Sequence, residues 1–298
     1  MADQTLTGKV AIVTGAGRGL GRAEALELAS QGASVVVNDL EVGLDGGATE
    51  GGAAEEVVEE IRATGGQAIA HNSDVADFGA AEDLVNLAVE KFGDLDILVN
   101  NAGILRDRMI FNMDKADWDA VIRVHLKGHF CMTRWATAFW RGRSKEQGGP
   151  VYARIINTSS EAFLFGSAGQ PNYASAKAGI VGLTISTAQA CDRYGVRANA
   201  ICPRALTRMT EGIGFDPETF APENVSPLVA WLASPAAERV SGQVFVAYGG
   251  TVSVVAGLSF DQRFETDGRW TVADLDSALA SYFDKREPVT DGFAMPVQ

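Results

Sequence analysis

Cysteine is scarce. Only Cys131, Cys191 and Cys202 are present, far apart and without a C-x-x-C pair. That spacing argues against a disulfide framework and a cysteine-type zinc site, and a reducing compartment fits. Histidine is equally rare, with three residues. His125 and His129 stand four apart, but no carboxylate or third histidine joins them at ligand spacing, so no metal is expected. Bases are outnumbered, 25 Lys and Arg against 38 Asp and Glu, for a net charge of −13. That sign argues against nucleic acid or an anionic membrane as partner. No apolar run reaches the roughly 18 residues that would span a bilayer. The first residues lack the basic and apolar regions of a signal peptide, and the last carry no address signal. The expectation is a soluble cytoplasmic protein.

What is plentiful is apolar surface and glycine. Hydrophobic residues make up 46% of the 298-residue chain and charged residues 21%, enough for a large core. Glycine supplies 33 positions without a triplet period. Short β-branched runs alternate with helical patterns. Strands are expected at 10–14, 34–38, 67–71, 95–99, 154–158, 196–201 and 244–247. Helices are expected at 20–31, 55–63, 80–92, 114–141, 172–194 and 227–232. Short apolar strands separated by helices imply a parallel sheet covered on both faces. The reading is an α/β chain with one doubly wound domain of seven parallel strands over residues 1–257, and a C-terminal extension over 258–298. The glycine-rich stretch 43–52 and the polar stretch 141–150 read as surface loops. The extension holds one helical pattern, 271–283, with Thr271 as N-cap and Asp274 at the capping-box position.

Two motifs carry chemistry. Thr14-Gly-Ala-Gly-Arg-Gly-Leu-Gly21 lies between the first strand and its helix. Glycine there lets the backbone turn tightly and approach a pyrophosphate, whose charge the helix N-terminus receives. Asp39 follows the second strand about 20 residues on, where a carboxylate bonds the ribose hydroxyls of NAD and repels a 2′-phosphate. Arg18 pulls toward NADP, and Asp39 is weighted above it. The plainer alternative is that Asp39 only opens the next loop. The second motif is Tyr173-Ala-Ser-Ala-Lys177, whose ends share a helix face. An ammonium one turn away, with a nicotinium ring nearby, favours the phenolate. Ser160 precedes Tyr173 by 13 residues, at the end of a strand, where doubly wound folds bind ligands.

These residues identify the chain as resembling the short-chain dehydrogenase/reductase family. The resemblance rests on Thr14-Gly-x-x-x-Gly-x-Gly21, Asp74-Val75, Asn100-Asn-Ala-Gly103, Ser160, Tyr173-x-x-x-Lys177 and Pro203, spanning about residues 8–250. It implies a Rossmann fold. Gly15, Arg18, Gly19, Leu20 and Gly21 would bind the cofactor phosphates and Asp39 the ribose. Asp74 and Val75 would meet the adenine, and Asn101, Ala102 and Gly103 would lie along the cofactor. Pro203 to Leu206 would flank the nicotinamide. Tyr173 would be the acid/base, Lys177 would grip the nicotinamide ribose and tune Tyr173, and Ser160 would hold the substrate oxygen. Most members carry Asn at position 125 and Gly at 204, where this chain has His125 and Arg204. His125 is expected either in the proton relay or as a structural residue of the long helix.

Val124-His-Leu-Lys-Gly128, Asn101-Ala-Gly-Ile-Leu-Arg-Asp-Arg108 and Arg208-Met-Thr210 further resemble the (3R)-hydroxyacyl-CoA dehydrogenase unit of peroxisomal multifunctional enzyme type 2 and its stand-alone bacterial relatives. So does Pro222 with the run that follows it. That resemblance implies an NAD-dependent β-oxidation enzyme for acyl-CoA, with a fatty or steroid acyl chain. Arg106, Arg108, Arg204 and Arg208 would flank the cleft mouth and meet an anionic CoA, or be ordinary surface bases. The alternatives are an NADPH-dependent 3-oxoacyl-carrier-protein reductase, a hydroxysteroid dehydrogenase, and a non-catalytic cofactor-binding regulator. A homodimer or homotetramer is expected, because Ala174, Ala176, Ala178, Gly179 and Gly182 permit close helix approach.

Overall fold

The computed structural model describes residues 4–40, 52–207, 216–257 and 260–285. The chain divides into two compact units, Met1–Val255 and Ala256–Gln298.

In the first unit the strands are β1 (Val10–Thr14), β2 (Ser34–Asn38), β3 (Gln67–His71), β4 (Ile97–Asn100), β5 (Ala153–Thr158), β6 (Val196–Pro203), β7 (Val244–Tyr248) and β8 (Thr251–Val254). They form one sheet in the order β3-β2-β1-β4-β5-β6-β7-β8. The first seven run parallel, in the positions the sequence pattern predicts. The eighth departs from the seven-strand expectation: it turns back antiparallel, with Tyr248 opposite Thr251 and Phe245 opposite Val254. The two residues between, Gly249 and Gly250, make the turn, and Gly249 takes a left-handed φ of +48°. A Gly-Gly pair between two extended runs is a hairpin signal.

The helices are α1 (Gly19–Ser30), α2 (Ala53–Ala63), α3 (Phe78–Phe92), α4 (Lys115–Ile122), α5 (Gly128–Gln147), α6 (Ala162–Phe165), α7 (Pro171–Cys191) and α8 (Ser226–Ala233). Side chains alternate across each strand, which builds a core on each face of the sheet. Ala11, Val13, Ile97, Val99 and Ile156 pack with Leu28, Val57, Ile61, Val229 and Leu232 on one face. Val10, Ile12, Leu98, Ile155 and Ala198 pack with Leu84, Met132, Ala136 and Trp140 on the other. Each fully buried aliphatic side chain of this kind stabilises the fold by about 1.5–3 kcal/mol relative to exposure. Trp140 also satisfies its indole N–H, donating to Leu95 O at 2.7 Å.

The sequence pattern predicts one helix over 114–141 and a loop over 141–150. The helix instead continues to Gln147, because Arg, Lys, Glu and Gln sustain it. It stops at Gly148, whose φ of +71° closes the C-terminus. The same rod is also interrupted: Arg123–Lys127 forms a single π-turn between α4 and α5, with His125 in its middle. The glycine-rich loop expected at 43–52 lies, save for Gly52, outside the described residues, as do Arg208 and the neighbouring residues up to 215.

The second unit contains α9 (Val272–Phe283). Its N-terminus is the capping box read from the sequence: Asp274 N–H donates to Thr271 Oγ1 at 3.2 Å, and Thr271 N–H donates to Asp274 Oδ2 at 3.3 Å. Within this unit Phe264 meets Tyr282 edge-on at 5.5 Å.

Candidate active site

The strand order reverses at β1 and β4, and the carboxyl ends of these neighbours open a crevice. The turn leaving β1 forms one wall. Gly15 takes φ +63°, and a Cβ on it would meet Ala102 Cα at 2.8 Å. A Cβ on Gly21 would lie 2.3 Å from Gly15 O and 2.5 Å from Asn101 Nδ2. Glycine is therefore required where the turn folds under the β4 end. Asn101 locks that arrangement. Its side-chain amide donates to Thr14 O and Gly15 O at 3.1 and 3.0 Å, and its backbone N–H donates to Thr14 Oγ1 at 3.0 Å. Beyond β2, Asp39 Oδ2 accepts the Gly17 N–H at 2.8 Å, so the carboxylate stands at the mouth of the glycine turn. Arg18 is exposed on the same rim.

The other wall comes from β5, α7 and the π-turn. Pro171 opens α7, and Asn172 fixes its first turn: its Oδ1 accepts the Tyr173 N–H at 2.8 Å, and its Nδ2 donates to Arg106 O at 2.9 Å. Lys177, one turn on and 2% exposed, donates from Nζ to Thr158 O at 2.6 Å. Ser159 Oγ donates to Lys177 O at 3.0 Å, which clips the helix to the strand end. Lys177 Nζ stands 5.2 Å from the centre of the Tyr173 ring. The His125 ring meets Tyr173 edge-on, centroids 5.3 Å apart. His125 Nε2 lies 2.8 Å from Ile104 O and 3.1 Å from Ile104 N. The imidazole also presses on Gly103, where a Cβ would meet its Cε1 at 2.3 Å.

The electrostatics follow from burial. Burial pushes the Tyr173 hydroxyl up to about 12, against a hydrogen bond with Ser160 that pulls it down. Burial lowers Lys177 to about 7. His125 is held well below the usual histidine range, first by burial and then by the Lys177 charge. In the protein alone Tyr173 therefore keeps its proton, Lys177 gives its own up near neutrality and His125 is neutral. The sequence reading has the ammonium lowering the phenol; in the protein by itself burial raises it, and the group that pulls it down is Ser160.

Of the residues singled out from sequence, Gly15, Arg18, Gly19, Leu20, Asp39, Asp74, Val75, Asn101, Ala102, Gly103, His125, Tyr173, Lys177 and Pro203 line a single cleft. Gly21, Ser160 and Leu206 do not line it. Gly21 lies beneath the turn, and Ser160 reaches the cleft through its hydrogen bond to Tyr173. Sequence reasoning missed Asn38, Leu40, Ser73, Ile104, Val124, Thr158, Ser159 and Thr207 as cleft residues, while Ala205 falls in the expected Pro203-to-Leu206 stretch. Thr158 and Ser159 directly precede Ser160, and Ser73 precedes Asp74, so adjacency to the motifs was the available signal. Of the four arginines expected at the mouth, Arg108 Nε stands 3.7 Å from Asp117 and Arg204 pairs with Glu161. Arg208 lies outside the described residues.

Residues 9–215 match the family model described as short chain dehydrogenase. The chain belongs to the short-chain dehydrogenase family. It is 51% identical over 297 residues to hydroxyacyl-CoA dehydrogenase ChsB1 of Mycobacterium tuberculosis, covering 95% of this chain and 91% of that protein. It is 43% identical over 244 residues to peroxisomal multifunctional enzyme type 2 of Mus musculus, covering 81% of this chain and 32% of the mouse protein. Among solved structures, a 7α-hydroxysteroid dehydrogenase complexed with NADH and 7-oxo glycochenodeoxycholic acid superposes with TM-score 0.71 at 30% identity, covering 83% of this chain and 96% of that one. As a family member the chain is an oxidoreductase, and the wall built by Ser160, Tyr173 and Lys177 is where its dehydrogenase chemistry is sought.

Proposed function

We propose that this enzyme interconverts (3R)-3-hydroxyacyl-CoA and 3-oxoacyl-CoA with NAD, in β-oxidation of a fatty-acid or steroid side chain. One observation carries the reading: Tyr173 and Lys177, with Ser160 hydrogen-bonded to Tyr173, share one crevice with the glycine turn and Asp39, in a chain half identical to a hydroxyacyl-CoA dehydrogenase. The residues fit a dinucleotide. Gly15 and Gly19 adopt left-handed backbone, and no side chain caps the N-terminus of α1, so its N–H groups face a pyrophosphate position. Asp39 presents a carboxylate where ribose hydroxyls would donate, which favours NAD over NADP.

Bound NAD supplies the cationic ring that takes the hydride from the carbinol carbon. Ser160 Oγ holds the substrate oxygen and, in oxidation, Tyr173 takes the hydroxyl proton as phenolate. Lys177, aligned by the hydrogen bond its Nζ donates to the Thr158 carbonyl, stabilises that phenolate in its ammonium form. In the reverse direction Tyr173 returns the proton to the forming alkoxide. His125 supports the Gly103–Ile104 wall behind Tyr173 and stays neutral there; its Nδ1 is buried. Homodimerisation through α7 belongs to the same reading; a Cβ on Gly182 would meet nothing within 4 Å, so that face has room for a close partner.

The test is NADH absorbance with (3R)- and (3S)-3-hydroxyacyl-CoA of fatty and steroid acyl chains. Turnover with the 3R form supports the reading; turnover with neither, or only with free alcohols, ends the acyl-CoA assignment. The NAD-to-NADP ratio of kcat/KM is measured alongside. Asp39→Ala is expected to move it toward NADP by about tenfold or more, the value of one charge-assisted contact.

A further inference from the structure

β5 and β6 are neighbours in the sheet, with Thr158 opposite Ile201. Each strand end delivers one partner of the reaction: Ser160 follows β5, and Pro203 closes β6. Beyond those ends the two chains diverge, Glu161 into α6 and Arg204 into the segment containing Ala205 and Thr207, which line the cleft. Glu161 and Arg204 bridge the gap. Arg204 Nε donates to Glu161 Oε2 at 2.6 Å, and Nη2 donates to Oε1 at 2.8 Å. Both side chains are largely buried, 14% and 9% exposed. The parallel pair of bonds fixes direction as well as distance.

The guanidinium is braced from behind. It lies 4.6 Å over the ring of Tyr248, the last residue of β7, and Tyr248 stacks on Phe220 at 5.8 Å with ring planes 9° apart. Arg204 N–H donates to Ala247 O at 3.0 Å, and Leu206 N–H donates to Phe220 O at 2.6 Å. On the other side, Ser160 Oγ accepts the Ala162 N–H at 3.2 Å and Ser160 O accepts the Phe163 N–H at 3.0 Å, so the Ser160 turn and the Glu161 turn move as one. A buried ion pair is a weak source of net stability, because desolvation offsets the attraction. What this one sets is geometry.

We infer that the Glu161–Arg204 pair is a positioning device for hydride transfer, holding the Ser160 turn in register with the Pro203–Thr207 segment beside the nicotinamide. The inference rests on the proposed dehydrogenase reading of the cleft. Neither residue touches the reacting atoms; both act through the turns they join. The pair spans substrate oxygen on one side and hydride acceptor on the other, so loosening it misplaces donor and acceptor without removing either.

The test uses Glu161→Gln, Arg204→Met, Arg204→Lys and the double variant E161Q/R204M in the full-length chain. Arg204→Met keeps an unbranched stem over Tyr248, and the double variant leaves no unpaired charge and so preserves folding. NADH affinity, read by fluorescence titration, is expected to stay within about twofold of the unsubstituted protein, while kcat falls on the order of 10- to 100-fold. The deuterium isotope effect on kcat, from substrate labelled at C3, is expected to rise as hydride transfer becomes limiting. The double variant is expected to be no slower than the slower single one, since both remove the same bridge. Arg204→Lys, which keeps the charge but not the fork, falls between. Unchanged kcat and isotope effect, or losses that track melting temperature and NADH affinity, overturn the proposal. An unsubstituted protein that oxidises a different secondary alcohol overturns only the substrate reading, and the same comparison is then made on that alcohol. One that oxidises none overturns both.

Discussion

Replacing Glu24 by glutamine isolates an electrostatic cost built into α1. The Glu24 side chain is fully buried, and neither carboxylate oxygen has a hydrogen-bond partner. Burial raises its pKa from 4.5 to about 8. The sign follows from linkage. The folded state holds the Glu24 proton more tightly than the unfolded state, so stability from this group is fully present below pH 4.5. It declines as pH rises, and the loss is complete above about pH 8. At about 1.4 kcal/mol per pH unit, the wild-type protein gives up roughly 3 kcal/mol between pH 5 and pH 8 from this one carboxyl. Glutamine has the same shape and does not ionise. Its own burial cost is constant with pH and drops out of the difference. The assay is chemical denaturation of both proteins at pH 5, 6, 7 and 8. The gap in unfolding free energy is expected to move in favour of Glu24→Gln by about 3 kcal/mol across that range. Parallel curves would refute a buried, unpaired carboxyl at this position.

Three other outcomes follow from the cleft. Tyr173→Phe is expected to lower kcat by about 10²- to 10⁴-fold while NADH still binds, measured by initial rates and fluorescence titration. Oxidation needs Tyr173 deprotonated, and burial sets its hydroxyl near 12 in the free protein, so the oxidation rate is expected to climb with pH between 7 and 10. The reverse reduction uses the protonated phenol and is expected to hold level over that range; a flat oxidation profile counts against Tyr173 as the base. Gly103→Ala drives a methyl into the His125 ring and is expected to cost about 1–3 kcal/mol of stability, with partial recovery in G103A/H125A, both read by denaturation.

The sheet was legible because its strands alternate or saturate with β-branched residues, and both of its faces are covered. The cofactor turn and the Tyr173-to-Lys177 spacing were legible because each motif is local. Three features were not. The strand β8 is short and exposed, so hydrophobicity gave no sign of it, and only Gly249-Gly250 marked the hairpin. The π-turn at Arg123–Lys127 carries no glycine, proline or other residue type that marks where a helix widens. Arg204 and Glu161 lie 43 residues apart and meet only because β5 and β6 are adjacent, a fact of topology that no local pattern carries. The burial of Glu24 was not legible for a related reason. α1 carries two acids, Glu24 and Glu27, and nothing local in the sequence marks Glu24 as the buried one.

The π-turn has one further consequence. Each residue of an α-helix turns the chain by about 100°, so the extra residue accommodated between Arg123 and Lys127 sets the rotational phase of everything after it. Were the chain one residue shorter there, an ordinary turn would close, and Cys131, Met132, Ala136 and Trp140 would swing about a quarter-turn off the sheet they now cover. The widened turn that lets His125 reach Ile104 is thus also the register mark of the long helix. Insertions and deletions in this stretch change the core and the cleft wall together.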